Sequence, residues 1–305
     1  MLTVRPIAIG DKQDILHLIE QVNRKDGLDY SLTEEWFEHI VNQAGNHGLF
    51  VAELLDGIGE QRRGKVYGLG TCIVDPTDSG ISDVLILVHP DHRRGGLGSA
   101  LYERILEFCA EKQIDQMQAV VRQRLQHSLD FLEKREFIPQ IYSWRLEFDL
   151  VARELGNTFP TLDQLQSRIR RATADDFDTY RQLMEECFAH VIEHQHFSHI
   201  FADPSIELFF LEELDSPHHR IIGMISLQRR ESLNMVYLYD IAVVREKRRH
   251  GFASAMIVST LEYIQHIGIA KAVLVVDGEN RKAVSMYEKL GFRETDKEIL
   301  MEKRL

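Results

Sequence analysis

The chain has 305 residues, 44% of them hydrophobic and 28% charged, which is typical of a globular protein with room for two domains of ordinary size. Its formal net charge of −12, without any extended cluster of lysine and arginine, disfavours binding to nucleic acid or to an anionic membrane and favours a cationic ligand. The three cysteines are widely spaced, which argues against a disulfide framework, so we expect buried thiols. The first residues do not resemble a signal peptide, and every apolar run is too short to span a membrane. We therefore expect a cytoplasmic location.

In the first half, an apolar run at 84–88 precedes an arginine-glycine loop at 93–98, and an apolar helical pattern follows the loop. The backbone N–H groups of such a strand-loop-helix corner point outward from the helix N-terminus, where they can bind a pyrophosphate. A single loop of this kind is more often a solvated turn.

A strand-like run at 144–150 closes the first half, and we expect a linker with a short helical piece at 151–167. The second half repeats the order of the first. We predict its strands and helices at 168–171, 174–199, 207–214, 220–229, 236–244, 251–266, 272–276, 281–290 and 297–302. The mixture predicts an α/β (α+β) fold with two domains, 1–150 and 168–305, each a central twisted mixed β-sheet flanked by helices.

The loop of the second half, at 248–253, lies 155 residues beyond the first loop, and the same offset relates 276–292 to 121–137. Recurrence at a constant offset indicates a tandem repeat. It also favours phosphate binding over a solvated turn at both loops.

The second loop and the segment 276–292, with Asn280, Tyr287 and Gly291, closely resemble the acetyl-CoA signature of the GNAT N-acetyltransferase superfamily. The resemblance extends over both halves but is only partly preserved in the first. The segment 237–243 looks like the corresponding segment of the aminoglycoside 3-N-acetyltransferases. The tandem arrangement, with one intact copy of the signature beside one eroded copy, is similar to that of the mycothiol synthases. The resemblance implies two GNAT-like domains.

It also implies acetyl-CoA as cosubstrate, no metal, and direct transfer of the acetyl group to a primary amine of a small molecule. The main chain near Val243 would bond the pantetheine arm and the thioester carbonyl, and Asn280 would contact the pantetheine or an ordered water. Tyr287 would face the sulfur as general acid, and Asp240 is the candidate base. The residues implied to hold the pyrophosphate are Arg248, Arg249, His250, Gly251, Phe252, Ala253 and Ser254, with Arg93, Arg94, Gly95, Gly96, Leu97 and Gly98 at the corresponding places of the first half.

These residue types suit the chemistry, since an amine with a pKa of about 10 must lose a proton before it attacks, and a carboxylate can accept that proton through water. Structural alternatives exist for each side chain. Tyr287 could pack on its helix face with Val284, and Asp240 could be an ordinary strand residue. Asn280 could be a helix N-cap, a role compatible with cofactor contact.

The first half departs from the signature where the chemistry would occur. At the offset of 155, Leu132, Leu125 and Leu85 stand in place of the tyrosine, asparagine and aspartate. We therefore expect a non-catalytic domain that binds CoA or is purely structural. Three alternatives remain: a CoA-binding sensor or scaffold without turnover, a thiol-sugar amine acetyltransferase, and an N-terminal acyltransferase that uses another base.

Several histidines lie close together in the segment that would wall the acceptor pocket. His190 and His194 at i and i+4 could share a metal on one helical face. Polar contact with the acceptor is the preferred interpretation, because the GNAT resemblance implies chemistry without a metal. We expect a small-molecule amine as partner, and a monomer or homodimer.

Overall fold

The computed structural model describes residues 1–32, 37–38, 41, 47–54, 64–74, 80–152, 159–189, 197, 200–201, 203–214 and 220–305. The chain divides into two compact units. The first consists of Met1–Tyr142 and Glu298–Leu305, and the second of Ser143–Lys297. Both units contain a β-sheet with helices, which confirms the predicted α/β class.

The elements of the first part of the chain are β1 (Leu2–Pro6), α1 (Lys12–Asp26), β2 (Gly48–Leu54), β3 (Lys65–Val74), β4 (Ile81–Val88), α2 (Leu97–Lys112), β5 (Gln116–Arg122), α3 (Gln126–Glu133) and β6 (Ile138–Asp149). Those of the second part are β7 (Ser167–Arg171), α4 (Phe177–Phe188), β8 (Ile206–Glu213), β9 (Ile221–Arg230), β10 (Met235–Val243), α5 (Phe252–His266), β11 (Lys271–Asp277), α6 (Arg281–Leu290) and β12 (Arg293–Arg304). The strand order is β1-β2-β3-β4-β5-β12 in the first unit and β6-β11-β10-β9-β8-β7 in the second. In each unit one neighbouring pair is parallel, β4 with β5 and β10 with β11.

The sheet of the first unit is covered on both faces. Alternate residues of β2 belong to different cores, because side chains of a strand alternate between faces. Leu49 and Val51 pack with α1, whereas Phe50 and Ala52 pack with α2. The loop that begins α2 therefore approaches the sheet from the face opposite α1.

The two units exchange their last strands. From Ser143 onward β6 pairs with β11 of the second unit, and from Glu298 onward β12 pairs with β5 of the first. The predicted domains 1–150 and 168–305 assign each of these strands to its own half instead. The difference has a physical reason, since hydrophobic alternation identifies a strand but does not specify which neighbour it pairs with.

The repeat is visible in individual ion pairs. Arg5 makes two hydrogen bonds to the carboxylate of Asp11, at 2.7 and 2.8 Å, and Arg170 makes two to Asp176, at 2.9 and 2.7 Å. Both pairs join a strand to the start of the helix that follows it, β1 to α1 and β7 to α4. The Arg170 guanidinium is the main cause that lowers the pKa of Asp176 to about 2.

The cysteines are free. Cys72 and Cys109 are buried, as predicted, with their Sγ atoms 3.7 Å apart, whereas Cys187 is half-buried. Among the described residues, no helix is both long enough and apolar enough to cross a membrane.

Candidate active site

The two arginine-glycine loops have the same backbone conformation. Arg94 and Arg249 have φ of 66° and 69°, and Gly96 and Gly251 have φ of 88° and 92° at the N-caps of α2 and α5. A glycine at the cap permits the left-handed turn that aims the unpaired N–H groups of the first helical turn outward. Both loops therefore present the donors that bind a phosphate at a helix N-terminus.

The first arginine of each loop supports the loop from within. Arg93 Nε donates to the main-chain oxygen of Val88 at 3.2 Å, and Arg248 Nε donates to that of Val243 at 2.8 Å. These bonds tie the loop to the strand before it. Forked donation to the pyrophosphate is the predicted role of these two side chains. Because the Nε–H group of each guanidinium makes the internal bond, only the other N–H groups can serve that role.

The surroundings of the two cap glycines differ. A Cβ atom at Gly251 would lie 2.7 Å from Cγ of Pro160, whereas one at Gly96 would have no neighbour within 4 Å. Pro160 belongs to the predicted linker, so this segment packs on the loop of the second unit.

In the second unit, β10 and β11 separate towards their carboxyl ends. Their parallel pairing ends at Leu238 and Leu274, while the strands continue to Val243 and Asp277. Beyond the last pair the two strands no longer hydrogen-bond to each other, and we call this gap between their carboxyl ends, up to the loop that follows β10, the opening. An extended amide-containing chain such as pantetheine has the shape and hydrogen-bonding groups for such an opening.

A β-bulge interrupts β10 beside this opening. Tyr239 pairs with Ser226 and Ala242 pairs with Met224, so two residues of β10 oppose one of β9. Asp240, within the bulge, has φ of 48° and is half-buried. A bulge turns a side chain away from the regular alternation. Asp240 therefore does not have the conformation of an ordinary strand residue.

The carboxylate of Asp240 lies among polar side chains. Its Oδ2 accepts a hydrogen bond from Ser226 Oγ at 3.3 Å. Burial raises the pKa of Tyr180 and of Tyr239, and the negative charge of Asp240 is the second cause in both cases. Both phenols thus remain protonated beside the carboxylate at neutral pH.

Tyr287 lies on the inner face of α6 and is 7% exposed. Burial raises the pKa of Tyr287 to about 12. Its ring meets Phe292 edge-on at 5.8 Å between centroids, and Val284 belongs to the same core, so the structural alternative of packing on the helix face and a role in the site are compatible. The phenol is protonated at neutral pH and can only donate a proton or a hydrogen bond to a neighbouring thiolate.

Asn280 is the N-cap of α6. Its Oδ1 accepts a hydrogen bond from the backbone N–H of Ala283 at 3.2 Å, which confirms the capping role. The amide nitrogen is the part of the side chain that could donate to a pantetheine carbonyl. Leu125 holds the same place in the first unit, with φ −90° and ψ 72° against φ −78° and ψ 59° for Asn280, so the backbone is retained while the polar group is lost.

In the first unit, the strand before the loop is regular. Residues 68–74 of β3 pair one to one with 82–88 of β4, and Leu85 lies opposite Thr71 within this run. The positions of Asp240 and Tyr287 are taken by Leu85 and Leu132.

Arginines of the first unit also hold the end of α1 across the ends of β4 and β5. Arg93 bonds the carboxylate of Asp26 at 3.0 and 2.5 Å, and Arg124 donates to the main-chain oxygen of the same residue at 2.5 Å. Arg122 donates to Asp29 at 2.8 Å. We call this group the arginine clamp. The sequence patterns did not predict this group. A signal was present, because the offset of 155 aligns Arg122 with Asp277 and Arg124 with Glu279, which is a reversal of charge between the two halves.

The histidine segment, with His190, Glu193, His194 and His196, and also His199, lies outside the described residues. Within the described part of the chain, no group of three or more histidine, cysteine or acidic side chains is arranged to hold a metal ion.

The sequence profile of the Acetyltransferase (GNAT) family matches residues 13–137 and 175–292. Related sequences include mycothiol acetyltransferases. That of Acidothermus cellulolyticus is 27% identical over 258 residues, which cover 75% of this chain and 73% of the relative. That of an Arthrobacter species is 23% identical over 303 residues, which cover 94% of this chain and 91% of the relative.

Two solved structures share the fold. A GCN5-related N-acetyltransferase from Sphaerobacter thermophilus has a TM-score of 0.74 at 18% identity, over 99% of this chain and 95% of that one. A tandem GNAT protein from the clavulanic acid biosynthesis pathway has a TM-score of 0.75 at 15% identity, over 100% of this chain and 98% of that one. The prediction of two GNAT-like domains is thereby confirmed.

Proposed function

The chain belongs to the GNAT acetyltransferase family, and from this premise we propose that its second unit transfers an acetyl group from acetyl-CoA directly to a primary amine of a small molecule. The observation that carries the proposal is the bulge of β10. It turns the carboxylate of Asp240 out of the regular alternation, two residues beyond the last β10–β11 pair, in the unit that also retains Tyr287 and Asn280.

Acetyl-CoA supplies an activated acetyl group as a thioester. The loop 248–253 holds its pyrophosphate on backbone N–H groups, and the separated ends of β10 and β11 border its pantetheine arm. Main-chain donors at this opening also stabilise the negative charge that develops on the thioester oxygen. This fit is supported by the left-handed conformations at Arg249 and Gly251.

Asp240 takes up the proton that the ammonium group of the acceptor must lose, directly or through a water molecule. The nitrogen then forms a bond to the acetyl carbon, and the carbon–sulfur bond breaks. The net negative charge of the chain, −12, favours the approach of such a cation.

Tyr287 stabilises the departing thiolate of CoA mainly by a hydrogen bond. Complete proton transfer from a phenol with a pKa of about 12 to a thiolate with a pKa of about 8.5 is uphill by roughly 5 kcal/mol. A hydrogen bond to the sulfur needs no such transfer, and the thiolate can take its proton from water later.

The first unit binds CoA without transferring its acetyl group. Its loop has the conformation of the second loop, but leucines stand at 85, 125 and 132. The arginine clamp supports this role, because it holds Asp26 and Asp29 across the ends of β4 and β5, on the face from which an acceptor would approach.

The acceptor screen that tests the proposal follows the release of free thiol from acetyl-CoA. It should include amino sugars, polyamines, aminoglycosides and, because the relatives are named mycothiol acetyltransferases, amines of thiol-bearing sugars. We expect turnover with at least one primary amine and none with the corresponding alcohol. Thiol release that no amine accelerates would contradict the proposal and favour a CoA-binding sensor or scaffold.

Two further variants identify the working unit. Gly96→Glu should leave the acetyl transfer found in the screen in place, and Gly251→Glu should abolish it, because a charged side chain would occupy the place of the pyrophosphate. Since a side chain at 251 also meets Pro160, the variant Gly251→Glu is compared with Pro160→Gly, which alters the same contact without adding charge. Activity that survives only in Gly251→Glu would reverse the assignment of the two units.

A further inference from the structure

Ser226 is a buried hydroxyl residue in the middle of β9, 0% exposed. It pairs with Leu208 on one side and with Tyr239 on the other, so these three side chains share one face of the sheet. The ring of Phe209, the residue after Leu208, meets Tyr263 of α5 at 5.4 Å, which places Phe209 on the α5 face. Ser226 therefore lies on the face opposite α5.

Regular alternation would place Asp240 on the α5 face, because it follows Tyr239 in β10. Its Oδ2 is instead 3.3 Å from Ser226 Oγ, on the opposite face. The bulge and the φ of 48° at Asp240 account for this reversal. A carboxylate can only accept, so the serine hydroxyl is the donor.

A left-handed backbone is unfavourable for a residue other than glycine, and it persists where surrounding contacts hold it. The hydroxyl of Ser226 is one such contact. We propose that Ser226 is a positioning residue for the base Asp240, an inference that rests on the proposed function of the second unit. Ser226 keeps the carboxylate on the face opposite α5 and, by donating a hydrogen bond, favours its ionised form.

Other charged and titratable groups also act on this cluster. Tyr180 comes from α4 and Tyr239 from β10, and both are protonated phenols at neutral pH. Asp203 and Arg230 act electrostatically on Tyr239, with opposite signs. The Ser226 hydroxyl also acts on Tyr239 through a hydrogen bond, so the double variant with Asp240→Asn is needed to assign an effect of Ser226 to the carboxylate.

The first unit offers a natural comparison. Thr71, at the offset of 155 from Ser226, is buried and lies opposite Leu85. The hydroxyl is thus present in both units, but only the second has a carboxylate for it to hold. Because the first unit has threonine at this strand position, Ser226→Thr is the conservative variant.

The test combines Ser226→Ala and Ser226→Thr with Asp240→Asn, using acetyl-CoA and the amine with the highest kcat/KM in the screen. We expect Ser226→Ala to lower kcat about tenfold while the KM for acetyl-CoA is unchanged. Ser226→Thr should restore most of the rate. In the Asp240→Asn background, Ser226→Ala should have no further effect, since the group on which it acts is gone.

A second measurement needs no acceptor. Titration of the side-chain carboxyl carbon of Asp240 by NMR should show its midpoint raised by about one pH unit in Ser226→Ala and unchanged in Ser226→Thr. An unchanged midpoint in Ser226→Ala, or effects on kcat that multiply with those of Asp240→Asn, would overturn the positioning role. Full activity of Asp240→Asn would instead reject the base, and with it the proposed function on which this role depends.

Discussion

The two units have the same loop and different strands before it. At the loops, the φ angles of Arg94 and Arg249 differ by only a few degrees, as do those of Gly96 and Gly251. One strand earlier, β4 pairs regularly at 82–88, whereas β10 carries the bulge at Asp240. Under the proposed function, phosphate binding uses a backbone that both copies retain, and the base lies on an irregularity of β10 that β4 lacks.

The units also differ in charge at the end of the opening between their parallel strands. Arg122 and Arg124 stand there in the first unit, and Asp277 and Glu279 in the second. The arginines are already occupied by a main-chain group at the end of α1 and by the carboxylate of Asp29 after it. Under the proposed function, the acidic pair adds to the negative potential that attracts a cationic amine. The two units therefore carry opposite charges at corresponding positions.

The largest expected effect is that of Tyr287→Phe. Removal of the hydroxyl should lower kcat by about 10- to 10⁴-fold and leave the affinity for acetyl-CoA nearly unchanged, because only the contact to the leaving sulfur is lost. Steady-state kinetics and calorimetry measure the two quantities. Tyr142→Phe, at a tyrosine 48% exposed in the first unit, is the matched control. Wild-type turnover in Tyr287→Phe would mean that Tyr287 and its counterpart in the first unit, Leu132, do not differ in function.

The next effect concerns the arginine clamp. Asp26→Asn should destabilise the first unit by about 2 kcal/mol, because Arg93 loses the charge of its buried partner. Hydrogen exchange followed by mass spectrometry locates the change to α1, β4 and α2. Glu20→Gln, which breaks the exposed pair with Arg24, is the control and should cost less than about 0.5 kcal/mol. Equal effects of the two variants would mean that the clamp is an ordinary surface contact.

A smaller effect distinguishes CoA binding at the two loops. Arg249→Glu and Arg94→Glu reverse exposed charges at residues with the same left-handed backbone, so both keep the strain of the loop. Each should weaken CoA binding at its own unit about tenfold, and more at low salt. Calorimetry resolves the two sites. If Arg94→Glu left every binding step unchanged, the first unit would be a structural copy only.

The smallest effect compares two helix ends. Glu136 and Gly291, 155 residues apart, both follow a helix with positive φ, 66° and 104°. Glu136→Gly should stabilise the first unit by about 1 kcal/mol, and Gly291→Ala should destabilise the second by a similar amount. Thermal unfolding gives both signs. A destabilised Glu136→Gly would show that its contact with Lys303 outweighs the backbone strain.

Local signals made much of the fold predictable. The helix at 281–290 was predicted with its observed bounds because Asn280 caps its start and Gly291 ends it. The strand predicted at 168–171 differs from the observed one, Ser167–Arg171, by a single residue. The position of both loops between a strand and the start of a helix was predictable, because the spacing of arginine and glycine indicates the short-range backbone conformation.

Long-range features were not predictable in this way. Arg93 bonds Asp26, a residue 67 positions away in the sequence, and no local pattern indicates that partner. The bulge at Asp240 is also hidden, because an irregular pairing depends on the neighbouring strand and leaves no local pattern in the sequence. The exchange of β6 and β12 escaped prediction for a related reason, since either strand satisfies the pattern expected of a final strand.

The strand exchange has a consequence for the order in which a ribosome produces the molecule. Ser143–Lys297 is continuous and can fold as soon as it emerges, whereas the first unit waits for β12. At about 5–20 residues per second, translation of this intervening stretch takes roughly 10–30 s. During that time one edge of β5 has no neighbour, and an open strand edge is a template for pairing with other chains. Nascent chains stalled before Glu298 should therefore depend on chaperones more than the released protein does.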